Sequence, residues 1–248
     1  MTGTGIGIII QARMGSTRLP RKVLAAIDGV PMLEFLIRRL EQVQYADKIA
    51  VATTESPEDI PISDLCDLLR IPCYVGSEED VLARYIACAS SNNIDVIIRI
   101  CADCPLTDPR SVDELILAYK KTEPDHITNK ILSGYPDGMG AELATLEALE
   151  HCNAIASASD DSAHEHVMLY IRNHPESFKV VKLDAPQSRR DTSIHVAVDY
   201  PQDLELVREL CQRFPRPVEM NTGDVLKLFR ENPQLLTLNA GLHKPYAD

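Results

Sequence analysis

A chain of 248 residues, 45% of them apolar, is long enough to bury the core of one sizeable α/β domain. Its 25 basic residues stand against 37 acidic ones, a net charge of −12. That balance excludes a general nucleic-acid binder, which needs a basic face, but leaves room for a locally cationic nucleotide site.

No apolar run approaches the ~20 residues of a membrane span. The N-terminus lacks the basic, apolar and small-residue sequence of a secretory leader, so a cytoplasmic protein is expected. The seven cysteines are odd in number and scattered through apolar segments, as expected for reduced thiols. Cys101-x-x-Cys104 has no second pair, so it reads as structural or site-lining rather than as a zinc site.

In chain order, residues 6–10 form an apolar, β-branched strand. Gly3, Gly5 and Gly7 precede or begin it and are expected to form a mobile N-terminal segment. A loop runs to Lys22. Pro31 is expected as a first helical residue, followed by Leu33, Leu36, Ile37 and Leu40 at the spacing of a helix packed on a sheet. Residues 48–53 are a second strand ending in Thr53-Thr54, readable either as ligand-binding residues at a strand end or as a simple turn. Ser56-Pro57 starts a helix, residues 71–75 a third strand, and Ser77-x-x-Asp80 caps a helix that buries Val81, Leu82, Tyr85 and Ile86. Residues 95–100 are the most apolar strand, with Arg99 the exception. Asp108-Pro109 caps the next helix.

Strand–helix repeated four times predicts an α/β fold: a mostly parallel sheet with helices on both faces. The pattern changes over 124–183, where short strands mix with turns. This segment is expected to be an antiparallel insertion, a substrate lid or dimer arm, within a single domain spanning 1–248. Residues 195–198 read as a further strand, Pro201 opens a helix, 222–229 form the last helix, and a tail follows Pro233.

The chemistry concentrates in Gln11-Ala12-Arg13-Met14-Gly15-Ser16-Thr17-Arg18-Leu19-Pro20-Arg21-Lys22. A buried strand that delivers such a loop to a sheet edge can hold phosphates. Main-chain N–H groups cradle the oxygens, and Arg13, Arg18 and Lys22 neutralise charge. The loop is not a Walker loop, because a second Gly and the hydroxyl after the Lys are missing. It is not a dinucleotide fingerprint, because the glycines precede or begin the strand instead of following it. Two further segments, Arg99-Ile100-Cys101-Ala102-Asp103 and Val196-Ala197-Val198-Asp199, each end an apolar run in an aspartate. Either aspartate alone reads as a helix cap. Together with the cationic loop, the pair reads as two carboxylates sharing one Mg²⁺ that bridges nucleotide phosphates.

The loop resembles the A-R-x-G-S-x-R-x-P-x-K signature of the sugar cytidylyltransferases. It is most similar to their spore coat polysaccharide biosynthesis protein F branch, Q-A-R-M-G-S-T-R-L-P-G-K-V-L, with Arg21 in place of the Gly. The segments around Asp103 and Asp199 resemble R-x-T-A-D-C-P-L and V-D-T-P-E-D-L of the same branch. Tyr135-Pro136-Asp137-Gly138-Met139-Gly140-Ala141-Glu142 resembles Y-P-D-G-L-D-V-E, with Gly140 where an Asp is usual, and Glu165-His166-Val167 resembles part of R-E-H-V-T.

The resemblance implies a three-layer sheet of the nucleotidyltransferase or glycosyltransferase-A-like type and transfer of CMP from CTP to a sugar, a nonulosonic-type acid, with release of pyrophosphate. It implies a role in cell-surface polysaccharide or glycan synthesis, Mg²⁺ as cofactor, CTP and a sugar as partners, and a homodimer. Arg13, Lys22 and Asp103 would be catalytic. Gln11, Ala12, Arg13, Gly15, Ser16, Arg18, Lys22 and Arg99 would bind the nucleotide, and Asp103 and Asp199 the metal. Asp137, Glu142, Glu165 and His166 would bind the sugar. Without the family, Pro-Asp-Gly is also a plain turn, Arg99 is equally a partner for a carboxylate, and His164 and His166, two apart on a helix, point to different faces. A glycosyltransferase using a nucleotide sugar and a non-catalytic nucleotide-binding homologue are the alternatives.

Overall fold

The computed structural model describes residues 4–155 and 167–243. The isoleucine run near the N-terminus becomes β1 (Ile6–Gln11), at the centre of the sheet. It pairs in parallel with β4 (Lys48–Thr54) on one side and β6 (Val96–Cys101) on the other, and β5 (Cys73–Gly76) pairs in parallel with β4. Between β1 and helix α1 (Met32–Leu40) lies a small hairpin of β2 (Ala26–Ile27) and β3 (Val30–Pro31). Its turn residues Asp28 and Gly29 have φ 49° and 80°, the left-handed values a two-residue hairpin turn requires. Pro31 is therefore not the first helical residue. It pairs with Ala26 in the hairpin, and the helix starts at Met32.

The connections α2 (Ile60–Leu69) and α3 (Val81–Ser91) complete the parallel half, and α4 (Pro109–Thr122) follows β6. Segment 124–183 then extends the same sheet with β7 (His126–Thr128), β8 (Glu142–Thr145) and β9 (Val180–Lys182). The order is β5-β4-β1-β6-β8-β7-β9, and the antiparallel joins are those of β8 with β6 and β7.

Strand alternation builds a core on each face. Ile8 and Ile10 point to one side and pack with α1, α2, α4, α7 (Pro201–Gln212) and α8 (Thr222–Glu231). Ile9 points to the other, against α3, α5 (Leu146–Ile155) and α6 (Leu169–Asn173). Each fully buried isoleucine contributes about 1.5–3 kcal/mol, and all three have no solvent exposure. The result is helices, sheet, helices in three layers. No helix among the described residues is long and apolar enough to cross a membrane.

Two further expectations change. Gly5 and Gly7 do not form a mobile segment. A Cβ on Gly5 would lie 2.4 Å from the Asn93 carbonyl oxygen, and one on Gly7 would lie 2.4 Å from Ile94 Cδ1. These glycines let β1 pass close to the turn that enters β6. Residues 195–198 do not form a strand. They run between two loops, so pairing is limited to one bridge, His195 with Asp137, and one bond from Val198 N to Asp103 O at 2.7 Å.

Candidate active site

The loop after β1 is held by its own backbone and by one carboxylate. Met14 N donates to Asp59 Oδ1 at 2.6 Å, while Ser16 N and Arg21 N both donate to the Met14 carbonyl. Thr53 and Thr54 turn their hydroxyls onto Asp59, so the end of β4 serves to anchor the loop. Arg21, which replaces the usual Gly, has φ 61° and ψ 21°. An arginine here adopts a left-handed backbone of the kind that favours glycine.

That backbone delivers Lys22, nearly buried, to a point between the two aspartates. Its Nζ lies 2.8 Å from Asp103 Oδ2, 3.0 Å from Asp199 Oδ1 and 2.8 Å from the Val198 carbonyl oxygen. Burial alone would lower the ammonium's pKa, but the carboxylates of Asp103 and Asp199 outweigh it and raise the pKa above its usual value. Asp103 follows β6 and Asp199 precedes α7, so both sit at the C-terminal edge of the parallel strands, where α/β folds bind ligands. Arg18 Nη2 donates to Asp199 Oδ1 at 2.8 Å, with its guanidinium 5.0 Å from the centre of the Tyr200 ring.

Gln11, Arg13, Gly15, Ser16, Arg18, Lys22, Asp103 and Asp199 line one cleft of about 270 Å³. Arg13 is half exposed there, with a loose 3.8 Å contact to Glu78. Ala12 is buried beneath and donates to the Ala52 carbonyl. Arg99 lies behind the cleft. It pairs with Glu142 across the β6–β8 register and reaches forward to Gln11 Oε1 at 3.4 Å.

A second cleft of about 500 Å³ shares Arg18, Asp103 and Asp199 with the first and adds Lys130, Asp137, His195, Tyr200 and His243. Asp137 sits in the Pro-Asp-Gly turn. Gly138 (φ 89°) takes a conformation and a proximity that a side chain would not allow, since a Cβ there would lie 2.4 Å from Ala197 N. This close approach brings Asp137 Oδ2 to 2.8 Å from His195 Nδ1. Gly140 is also fixed by packing, because a Cβ would meet the Asn129 carbonyl oxygen at 2.6 Å.

Glu142 does not face either cleft. It is 1% exposed, among Arg99, Lys130 and Arg172 at 3.1–3.2 Å and His126 at 3.5 Å. Burial would raise its pKa, yet Lys130, His126 and Arg99 hold it well below the usual carboxylate range. Glu142 thus anchors Lys130 at the edge of the second cleft. Glu165 and His166, like His164, lie outside the described residues.

Lys130, His195, Tyr200 and His243 were not singled out by sequence reasoning. His195 lies four residues before Asp199 and Lys130 directly after the turn out of β7, so proximity to a strand end was the available signal. Asp103 and Asp199 fit a hard divalent cation. Both offer only oxygens, and one ammonium already spans them, so they are close enough to share one cation.

A family model described as cytidylyltransferase matches residues 7–219. The spore coat polysaccharide biosynthesis protein SpsF of Bacillus subtilis is 33% identical over 92% of this chain and 95% of its own. An uncharacterized protein of Methanocaldococcus jannaschii is 34% identical over 95% of both chains. Among solved structures, a cytidylyltransferase from Leptospira borgpetersenii superposes with TM-score 0.89 at 28% identity, covering 98% of this chain and all of that one. The structure of a CMP:2-keto-3-deoxy-manno-octonic acid synthetase complexed with CTP shares the fold, with TM-score 0.65 over 85% of this chain.

Proposed function

The chain belongs to the cytidylyltransferase family, and from that premise we propose that it transfers CMP from CTP to a nonulosonic-type sugar acid and releases pyrophosphate. The observation that carries the reading is the Lys22 ammonium bridging Asp103 and Asp199 beneath a cationic loop at the strand ends. Relatives named 3-deoxy-manno-octulosonate cytidylyltransferase, one 25% identical over 86% of this chain, support the substrate class. The seven cysteines, all unpaired, support a cytoplasmic setting, where the product would feed cell-surface glycan synthesis.

In this reading Arg13, Arg18 and Lys22, with the backbone of Gly15 and Ser16, hold the triphosphate. Gln11 and Ala12 line the base pocket, with Arg99 steadying Gln11 from behind. Asp103 and Asp199 would hold Mg²⁺, which when bound supplies Lewis acidity and neutralises charge at the phosphates. Asp137 faces the sugar in the second cleft, and Glu142 keeps Lys130 at its edge. The protein forms no covalent bond to substrate. It positions the sugar oxygen against the α-phosphorus and stabilises the departing pyrophosphate.

The test is a panel of the four nucleoside triphosphates against sugar acids, following pyrophosphate. Release that needs both CTP and one sugar acid is expected. CTP binding without release across the panel would leave a nucleotide-binding homologue, and turnover of a finished nucleotide sugar would make it a glycosyltransferase.

A further inference from the structure

His195 enters this chemistry with a feature the phosphate site does not explain. Its Nδ1 lies 2.8 Å from Asp137 Oδ2. An ionised carboxylate only accepts, so in the neutral ring Nδ1 carries the proton and Nε2 carries the lone pair. Nε2 is buried and has no hydrogen-bond partner among the described residues. Buried polar atoms in native proteins are almost always paired, so such an orphan marks a place where a ligand or water completes the site.

The pair is built by the backbone as one unit. Asp137 N donates to the Ile194 carbonyl at 3.0 Å, and Val196 N donates to the Asp137 carbonyl at 2.9 Å. Its position is equally specific, because it lines the second cleft, which shares Asp103, Asp199 and Arg18 with the nucleotide side. A group held beside His195 is therefore next to the phosphates.

We propose that His195, oriented by Asp137, is the general base that takes the proton from the attacking hydroxyl of the acceptor sugar. The proposal rests on the transferase reading above. As the bond from the sugar oxygen to the α-phosphorus forms, the hydroxyl proton passes to Nε2. The bond from the α-phosphorus to the bridging oxygen breaks, and its electron pair leaves with pyrophosphate. Asp137 stays ionised, holds the tautomer and stabilises the imidazolium, the part a carboxylate plays beside a catalytic histidine.

A metal is the other occupant to weigh, since His195, Asp199 and His243 bring ligand atoms within 4.8 Å of one another. The two imidazoles, however, are stacked with centroids 3.4 Å apart and planes at 20°. Lone pairs lying in two stacked planes run side by side and do not converge on one ion. His243 is itself tethered by Nε2 to Asp203 Oδ1 at 2.8 Å, so it holds the His195 ring in place.

The experiment compares wild type with His195→Ala, His195→Gln and Asp137→Asn. Each is assayed with CTP and 3-deoxy-manno-octulosonate, or with whichever sugar acid of the panel turns over. His195→Ala should lower kcat by about 10²- to 10⁴-fold while KM for CTP stays near the wild-type value. Added imidazole should restore part of that loss. Asp137→Asn should lower kcat without changing the thermal midpoint by more than a few degrees. If His195→Ala does not fold, His195→Gln and Asp137→Asn decide the matter by the same split between kcat and KM. An unchanged kcat, a loss confined to KM, or no rescue in a folded variant that binds CTP would overturn the assignment. If the wild type itself makes no CMP-sugar, the transferase reading fails and takes the base with it. If the wild type is active and the variants are unimpaired, only the base fails.

Discussion

Replacing Lys22 by Met removes a charge and three donors while leaving most of the stem in place. The ammonium makes two charge-assisted bonds, to Asp103 and Asp199, and one to a carbonyl. Gross, these bonds amount to about 4–7 kcal/mol at ~1.5–3 kcal/mol for each charged bond and ~1 for the neutral one. Three effects reduce the net loss. The variant no longer desolvates an ammonium, the aspartate side chains are 31% and 20% exposed, and Arg18 stays on Asp199. We therefore expect a loss of about 1–3 kcal/mol, or a thermal midpoint lower by ~2–12 °C for a domain of this size. The raised pKa of Lys22 means its contribution is intact at neutral pH and is lost only as pH climbs through that raised value. Pyrophosphate release from CTP should fall by about 10²-fold or more, as for other preorganised charges at a transferring phosphate. A further readout needs no turnover. Lys22 and Mg²⁺ would use the same oxygens, so millimolar Mg²⁺ should raise the melting temperature of Lys22→Met more than that of wild type. Equal Mg²⁺ shifts with unchanged pyrophosphate release would refute the shared-cation reasoning.

Gly140→Asp, which restores the residue usual in the resembling family, should destabilise the protein by about 1–3 kcal/mol or more, because the new side chain meets the backbone of Asn129 and Lys130. Urea denaturation checks it, and wild-type stability would show that this backbone yields. Glu142→Gln leaves Arg99, Lys130 and Arg172 without their common counter-ion. It should cost about 3 kcal/mol, the low end for a broken buried pair, since Lys130 and Arg172 keep some solvent. Because the folded pKa of Glu142 is depressed, its contribution is present above the ordinary carboxylate value and is lost as pH falls through the folded one. The gap between wild type and Glu142→Gln should therefore narrow in acid below about pH 4, and a gap that widens there would contradict the assignment. Arg21→Gly should raise stability by about 0.5 kcal/mol, the relief of a left-handed φ of 61° less the added freedom of the unfolded chain. A lower melting temperature would mean that the arginine side chain stabilises the loop by more than its backbone strain costs.

The phosphate side was readable because its parts are contiguous or repeat one pattern. A β-branched run, a cation-rich loop and two apolar runs ending in aspartate are local signals. The rule that ligands gather at strand ends brings Asp103 and Asp199 together without coordinates. The burial of Glu142 was not legible in the sequence, because it depends on β8 pairing antiparallel with β6, which sets it opposite Arg99. No local period encodes that register. Residues 195–198 have the composition of a strand, yet their neighbours are two loops, and only the shape of Gly138 explains how close they come. Lys130 and Asp137, His195, and His243 come from three separate parts of the chain, so the second cleft exists only once the far half of the sheet is in place.

Lys22 and Asp199 are 177 positions apart. A ribosome making this chain releases the loop, the parallel strands and most helices before the second carboxylate emerges. Until then the N-terminal cation has only Asp103 to meet, and the second cleft lacks a wall. The carboxylate pair is therefore completed only after every strand has been made, and a product cut short before Asp199 keeps all seven strands of the sheet without the second aspartate.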